Sequence, residues 1–165
     1  MVRIVVAMVA AILLLPLSAI AEEQMTAEQI RQVIAVTDAA AKNRDAETIG
    51  KYLSERFAKN IEVPVNRVVA TVRLNKQQYL DMIESGWEKL ESYDYRREDL
   101  NISIAADGRS GESRSSIAET VVMDGREMVS KVREYARYEL EQGRVVITTI
   151  EGITLVGDTM PETLD

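Results

Sequence analysis

Two glutamates, Glu134 and Glu151, are the clearest candidates in this sequence for acid–base chemistry. Each lies in a run of alternating apolar residues, and a tight turn at 142–143 would join the two runs as a hairpin that sets the carboxylates opposite each other. Carboxylates that face each other on a half-buried surface repel, so one must hold a proton or a cation must lie between them. Tyr138, on the same predicted face, is a third candidate because its hydroxyl can donate to a developing oxyanion.

Three interpretations of the glutamate pair stay open. The two side chains can extend past the helices into water, or a β-bulge near the turn can separate them. They can line a binding pocket, or one of them can act as a general base. Paired carboxylates mark functional sites only statistically, so the pattern does not choose among these roles.

The composition removes several other chemistries. The chain has 165 residues, 27 acidic and 20 basic side chains, and neither cysteine nor histidine. Disulfides, thiol nucleophiles, serine–histidine–aspartate triads and ordinary zinc sites each need one of the missing residue types. A net charge of −7 argues against a nucleic-acid partner, because phosphate contacts need clustered lysine and arginine. No nucleotide-binding or metal-binding motif is found, so we predict neither a cofactor nor a metal.

Residues 1–21 differ from the rest and are typical of a secretory signal peptide. Arg3 is followed by an uncharged apolar stretch and by small residues that end at Ala21, after which we expect cleavage. An uncleaved membrane anchor is the alternative, because the uncharged run approaches the ~20 residues that cross a bilayer. With cleavage, the mature protein is periplasmic or secreted and contacts no membrane. Its domain spans 22–156, and 157–165 form an acidic flexible tail.

Three helices are predicted in this domain. Their starts carry side chains that cap free backbone amides, with Thr26 for the first helix, Asp45 for a short second helix and Asn75 for the third. Between the second and third helices, residues 57–72 are rich in β-branched residues and are interrupted by Pro64. This pattern predicts short irregular strands that lie outside the centre of a sheet.

The third helix carries an apolar face. Tyr79, Ile83 and Trp87 recur along it at helical spacing. We assign these side chains to a pocket beneath the helices. Core packing is the alternative, because the same spacing buries one face of any amphipathic helix.

After the third helix the hydrophobic pattern has a period of two, which indicates β-strands. Four runs, near 93–105, 111–123, 128–141 and 144–156, are separated by glycine-containing turns. We therefore predict a four-stranded antiparallel meander. Runs of ~12 residues exceed the usual strand length, so the sheet is expected to curve strongly. The predicted fold class is α+β, a cone of three N-terminal helices packed on this sheet.

Two-residue turns fix the strand register and sort the side chains into two faces. The apolar face also carries Arg96 opposite Glu119, and we place both in the pocket, with a structural cross-strand pair as the alternative. The opposite, more polar face is predicted to form a homodimer interface, because aromatic and arginine side chains are enriched at such surfaces. The predicted interface residues are Tyr93, Tyr95, Tyr135 and Arg137.

The order of the elements resembles the NTF2-like superfamily, which includes SnoaL-like and ketosteroid-isomerase-like proteins; with its leader, the chain resembles a secreted bacterial member. The resemblance covers about residues 26–156 and rests also on the segments 45–49 and 138–147. It implies a cone with a pocket between helices and sheet, and a dimer formed through the outer sheet face. Members range from isomerases, cyclases and dehydratases to binding modules. This chain departs from catalytic members because it lacks histidine and a tyrosine–aspartate pair matching the isomerases.

These observations favour an exported domain that binds a small apolar or amphipathic molecule, or a partner protein, without catalysis. The alternative is a cofactor-independent isomerase or lyase with a pocket carboxylate as general base and Tyr138 or Tyr79 as oxyanion donor. A third class is an interaction or inhibitor protein that uses the polar sheet face with Tyr95 and Tyr135.

Overall fold

The computed structural model describes residues 24–65 and 68–157, and in this part of the chain it shows three helices and six strands. The predicted signal peptide, 1–21, and residues 158–165 of the predicted tail lie outside the described residues. Gly157, predicted as the start of the tail, instead ends the last strand. The elements are α1 Ala27–Lys42, α2 Ala46–Tyr52, β1 Leu53–Val65, β2 Val68–Asn75, α3 Lys76–Trp87, β3 Ser92–Ile104, β4 Ser110–Met123, β5 Arg126–Glu141 and β6 Arg144–Gly157.

All three predicted helix starts are confirmed by their capping contacts. The amide of Gln29 donates to Thr26 Oγ1 at 3.2 Å, while the amide of Thr26 donates to the Gln29 side chain at 2.7 Å. At α2, the Asp45 carboxylate accepts a hydrogen bond from the Thr48 amide at 2.9 Å. Hydrogen bonding by Thr48 lowers the pKa of Asp45. Asn75 caps α3 with the same reciprocal pattern as Thr26.

One mixed sheet holds the six strands in the order β2-β1-β6-β5-β4-β3. Adjacent strands of this sheet run antiparallel, except that β1 and β6 run parallel. The α+β class is confirmed, but the four-stranded meander was wrong because β1 and β2 extend the same sheet. Pro64 does not prevent this extension: β1 pairs with β6 only as far as Ile61, and Pro64 lies beyond that ladder, in the hairpin with β2.

The strong curvature predicted for the sheet is also not supported. The prediction assumed that four long strands had to curl beneath the helices. Six strands share the sheet, and β-bulges or irregularities interrupt its ladders at four points. Register shifts occur between Leu53 and Ala58, Glu98 and Asn101, Lys131 and Val132, and Arg137 and Tyr138.

The bulge in β3 decides which of its side chains face the helices. Asn101 pairs with Arg114, in the register predicted from the turn, whereas Tyr95 pairs with Glu119, one residue away from that register. Asp99, in the surplus segment, has a φ of 54°, in the left-handed region. Because side chains alternate along a strand, this shift moves the first half of β3 to the other face.

The hydrophobic core lies between α1, α2 and the inner face of the sheet. Ile30 of α1 has no exposed surface, and Ile34 packs in the same cluster with Phe57 of β1 and Ile147 of β6. Residues one turn further along α1 therefore face the same sheet, where the packing opens into a cavity.

Candidate functional site

A cavity of about 530 Å³ lies between the helices and the inner sheet face. Most of its lining side chains are aliphatic or aromatic, among them Ile34, Ile49, Ile83, Trp87, Ile117 and Ile150. This size and lining suit a small organic molecule.

The helices α1 and α3 form one wall of the cavity. The wall residues are Ile34, Thr37, Asp38 and Ala41 from α1, and Tyr79, Ile83, Gly86 and Trp87 from α3. Their spacing of three or four residues is what a single helix face requires. The structure thus places Tyr79, Ile83 and Trp87 at the cavity. The Phe57 ring supports Tyr79 from β1, with 5.2 Å between the ring centroids.

Arg97 of β3 is the centre of a buried polar network in this cavity. Its side chain is 11% exposed and forms ion pairs with Asp38 at 2.9 Å and with Glu134 at 2.8 Å. Its Nη2 donates to the Tyr95 hydroxyl at 2.7 Å, its Nη1 donates to Ser115 Oγ, and its Nε donates to Asp38 at 3.0 Å. The five N–H groups of the guanidinium can all be used in these contacts.

The surroundings of this network raise the pKa of Arg97 and of Tyr95. Burial works against the charge of Arg97, but Glu134 and Asp38 outweigh burial and raise its pKa. Burial also raises the pKa of Tyr95, so its hydroxyl stays protonated. The network therefore ties α1 to β3 and β5 by charge pairs whose separation would strand a buried charge.

A third carboxylate, Glu119 of β4, lines the cavity outside this network. It accepts hydrogen bonds from the Tyr93 hydroxyl at 3.0 Å and from Ser130 Oγ at 3.4 Å. Burial, together with the charge of Glu119, raises the pKa of Tyr93. Tyr93 therefore acts as a donor to Glu119 at neutral pH.

Lys59 of β1 also lines the cavity. Its Nζ lies 3.6 Å from the position that a Cβ on Gly152 would take, and Gly152 pairs with Glu134 across β5 and β6. Burial lowers the pKa of Lys59 below 10.5, although Glu134 and Glu119 act in the opposite direction. Within the described residues, no hydrogen bond or ion pair holds this Nζ.

The predicted pairing of Glu134 with Glu151 was wrong. Glu134 pairs with Gly152 and faces the cavity, whereas Glu151 pairs with Tyr135 and is exposed on the outer face. The register shift between these residues and the turn moves β6 by one position, so the two carboxylates lie on opposite faces. A β-bulge that separates the two glutamates was one of the interpretations that the sequence left open.

The hydroxyls of Tyr138 and Tyr79 differ in what they contact. Tyr138 is 2% exposed, and its hydroxyl shares a 3.0 Å hydrogen bond with Ser113. Burial raises the pKa of Tyr138 to about 12. The Tyr79 hydroxyl has no hydrogen-bond partner among the described residues, so it is available to a ligand.

Two predicted placements in the first half of β3 were wrong. Arg96 does not pair with Glu119; its side chain is 69% exposed and forms an ion pair with Glu98 at 2.9 Å. Tyr93 and Tyr95, predicted at the outer interface, line the cavity. Both errors have one cause, because the bulge in β3 reverses the faces of the residues that precede it.

The outer sheet face carries Tyr135 and Arg137. The Tyr135 ring lies between two guanidinium groups, with Arg137 at 5.4 Å and Arg114 at 5.6 Å from the ring centroid. Ile153, on the same side of β6 as Glu151, is 50% exposed. This face therefore combines aromatic, cationic and apolar surface.

Asp38, Lys59 and Arg97 were missed in the sequence. Asp38 carried a usable signal, because it follows Ile34 by one turn on the face of α1 that is buried. Arg97 was hidden by the bulge, which no local pattern marked. Lys59 lay in a segment predicted as irregular and therefore was not assigned to a face.

The described part of the chain lacks two kinds of feature. None of its helices is long and apolar enough to cross a membrane. It also contains no cluster of three or more acidic side chains arranged to hold a metal ion.

The fold of this chain is similar to that of several solved structures, whereas its sequence has no comparable match. No family model matches the sequence, and no curated protein matches it. A candidate scytalone dehydratase from Novosphingobium aromaticivorans superposes with a TM-score of 0.66 at 10% identity, over 79% of this chain and 85% of that one.

Two further structures show the same likeness. The hexachlorocyclohexane dehydrochlorinase LinA-type3 from Novosphingobium barchaimii has a TM-score of 0.65 at 9% identity, over 82% of this chain and 90% of that one. An uncharacterised protein with a cystatin-like fold from Caulobacter vibrioides has a TM-score of 0.62 at 14% identity, over 78% of this chain and 89% of that one. At such low identities the matches show the fold alone, and they confirm that this chain has the NTF2-like fold.

Proposed function

We propose that this protein of NTF2-like fold is an exported binding protein for a small, largely apolar molecule with one polar group. The observation that carries the proposal is the apolar cavity of about 530 Å³ with Lys59 Nζ and the Tyr79 hydroxyl unpaired in its lining. Among the other charged groups there, Arg97, Asp38 and Glu134 satisfy one another. Glu119 accepts hydrogen bonds from Tyr93 and Ser130. Ligand sites typically combine such apolar walls with few free polar groups. The leader pattern in the sequence supports export.

Binding is favoured over isomerase or lyase chemistry by the state of the carboxylates. A general base must accept a proton in the cavity, but Glu134 is held by Arg97 and Glu151 lies on the outer face. A lyase remains the alternative function, with Glu119 as the cavity carboxylate outside the Arg97 network. Its support is that two proteins of the same fold are named as a dehydratase and a dehydrochlorinase.

The binding proposal is tested with N-phenyl-1-naphthylamine, a neutral apolar dye that becomes fluorescent when buried. We expect saturable binding of one dye per chain. Replacing Ala41, which lines the cavity from α1, with phenylalanine should lower the affinity for this dye at least about tenfold, because the ring occupies cavity volume.

The matched control is Ala39→Phe, on the same helix but exposed. It should bind the dye with unchanged affinity. Equal affinities in the two variants, or dye binding that does not saturate, would show that the cavity is not the binding site.

We also propose that the protein is a homodimer through the outer sheet face. The exposed patch around Tyr135, with Arg114, Arg137 and Ile153, has the residue types enriched at interfaces. Tyr135→Glu should convert the dimer to monomers, because it removes the ring at the centre of this patch and puts in its place a carboxylate that association would have to desolvate. Light scattering measures this, with Gln32→Glu on the exposed side of α1 as the control. An unchanged mass for Tyr135→Glu would refute this interface.

A further inference from the structure

We propose that Lys59 is a nucleophilic amine that captures an aldehyde or ketone in the cavity as an imine. The inference rests on the proposed binding function and narrows its ligand to carbonyl compounds of apolar character.

The position of Lys59 makes its amine available to a ligand. Its side chain lines the cavity, and Nζ lies beside Gly152, 3.6 Å from the position that a Cβ there would take. Within the described residues, Nζ has no hydrogen bond or ion pair. By contrast, Lys76 is held by Glu55 at 2.6 Å and Lys51 by Glu47 at 2.8 Å.

The charges around Lys59 come from several elements. Arg97 on β3, Glu119 on β4 and Glu134 on β5 act on it directly. Across the cavity, α1 contributes Asp38, which is paired with Arg97, and α3 contributes the Tyr79 hydroxyl.

The balance of these effects lowers the pKa of Lys59. Burial opposes the ammonium form of Lys59 most strongly, and the charge of Arg97 adds to that effect. Glu134 and Glu119 favour the ammonium form, but they do not cancel the effects of burial and Arg97. The pKa of Lys59 therefore falls below its ordinary value. A desolvated lysine beside another cation is a known setting for an activated amine.

The reaction needs no oxidant or reductant. Nζ attacks the carbonyl carbon, a C–N bond forms, and a proton passes from nitrogen to the former carbonyl oxygen to give a carbinolamine. The oxygen then leaves as water with the second nitrogen proton, and the C=N bond forms. Glu119, the cavity carboxylate outside the Arg97 network, is placed to relay these protons.

The test treats the full chain with cinnamaldehyde at pH 7 and traps imines with sodium cyanoborohydride. Intact mass should show one reduced adduct per chain, and peptide mapping should place it on Lys59. Lysines of ordinary pKa react less at this pH because they are mostly protonated. Lys59→Arg, which keeps a long basic side chain but replaces the amine with a guanidinium, should lower adduct formation at least about tenfold, whereas Lys42→Arg, an exposed lysine outside the cavity lining, should not.

Peptide mapping of the unmodified sequence decides the question even if a variant does not fold. An adduct spread evenly over the lysines, or none on Lys59, would overturn the role of this amine. The dye titration of the same preparation separates the two proposals. Saturable dye binding without a Lys59 adduct would refute the imine proposal and still support the binding function. Absence of both the adduct and saturable dye binding would refute the binding function as well.

Discussion

Arg97→Met is expected to lower the free energy of unfolding by about 3–5 kcal/mol. Arg97 neutralises Asp38 and Glu134 at 2.9 and 2.8 Å, and all three side chains are at most 20% exposed. Methionine leaves both carboxylates without their cation in a largely buried site. Equilibrium unfolding in urea, followed by circular dichroism, measures the change.

The neighbouring residue supplies the control for this variant. Arg96 is 69% exposed, so Arg96→Met should change the free energy of unfolding by no more than about 0.5 kcal/mol. Adding Asp38→Asn and Glu134→Gln to Arg97→Met should restore part of the lost stability, because the stranded charges are then absent. If the two single arginine variants were equally stable, the buried network would have no structural role.

Phe57→Ala should lower the free energy of unfolding by about 3–5 kcal/mol. Phe57 is 2% exposed and packs on Tyr79, so its loss opens a cavity beneath α3. The dye affinity should fall as well, because α3 forms a wall of the binding cavity. The same urea and dye titrations report both effects.

The comparison for Phe57 is Val72→Ala in the neighbouring strand β2. Val72 is 42% exposed, so this variant should stay within about 0.5 kcal/mol of the unmodified protein. A loss below about 1 kcal/mol in Phe57→Ala would contradict the assignment of Phe57 to the core.

The features predicted correctly from sequence are those that local chemistry decides. Thr26, Asp45 and Asn75 each cap a helix within three residues of themselves, and the face with Tyr79 and Trp87 follows from helical spacing alone. No distant part of the chain is needed for either prediction.

The site itself depended on strand register, which a single residue can reverse. The turn-derived register holds near each hairpin, as the pairing of Leu140 with Val145 shows. Beyond the bulges it fails, so Tyr95 and Arg97 turn inward and Glu151 turns outward. Bulge positions are decided by packing across the whole sheet, and the sequence around Asp99 carried no turn signal that marked one.

The surroundings of Lys59 also could not be predicted from local sequence patterns. The parallel pairing of β1 with β6 brings it beside Gly152, and residues so far apart in the chain meet only in the folded sheet. The sequence predicted a pocket beneath the helices, with Tyr79, Glu119 and Glu134 among its polar candidates, and the cavity lining contains all three. It missed Asp38, Lys59 and Arg97, which the fold brings to the same cavity.

The most direct measurement of the central claim, that the cavity binds a small apolar ligand, uses Trp87. It is the single tryptophan of the chain and it lines the cavity. N-phenyl-1-naphthylamine absorbs where tryptophan emits, so a dye bound in the cavity should quench Trp87 in proportion to its occupancy and saturate at one dye per chain. Saturable dye binding that leaves the Trp87 emission unchanged would contradict the account, because it would place the ligand outside the cavity.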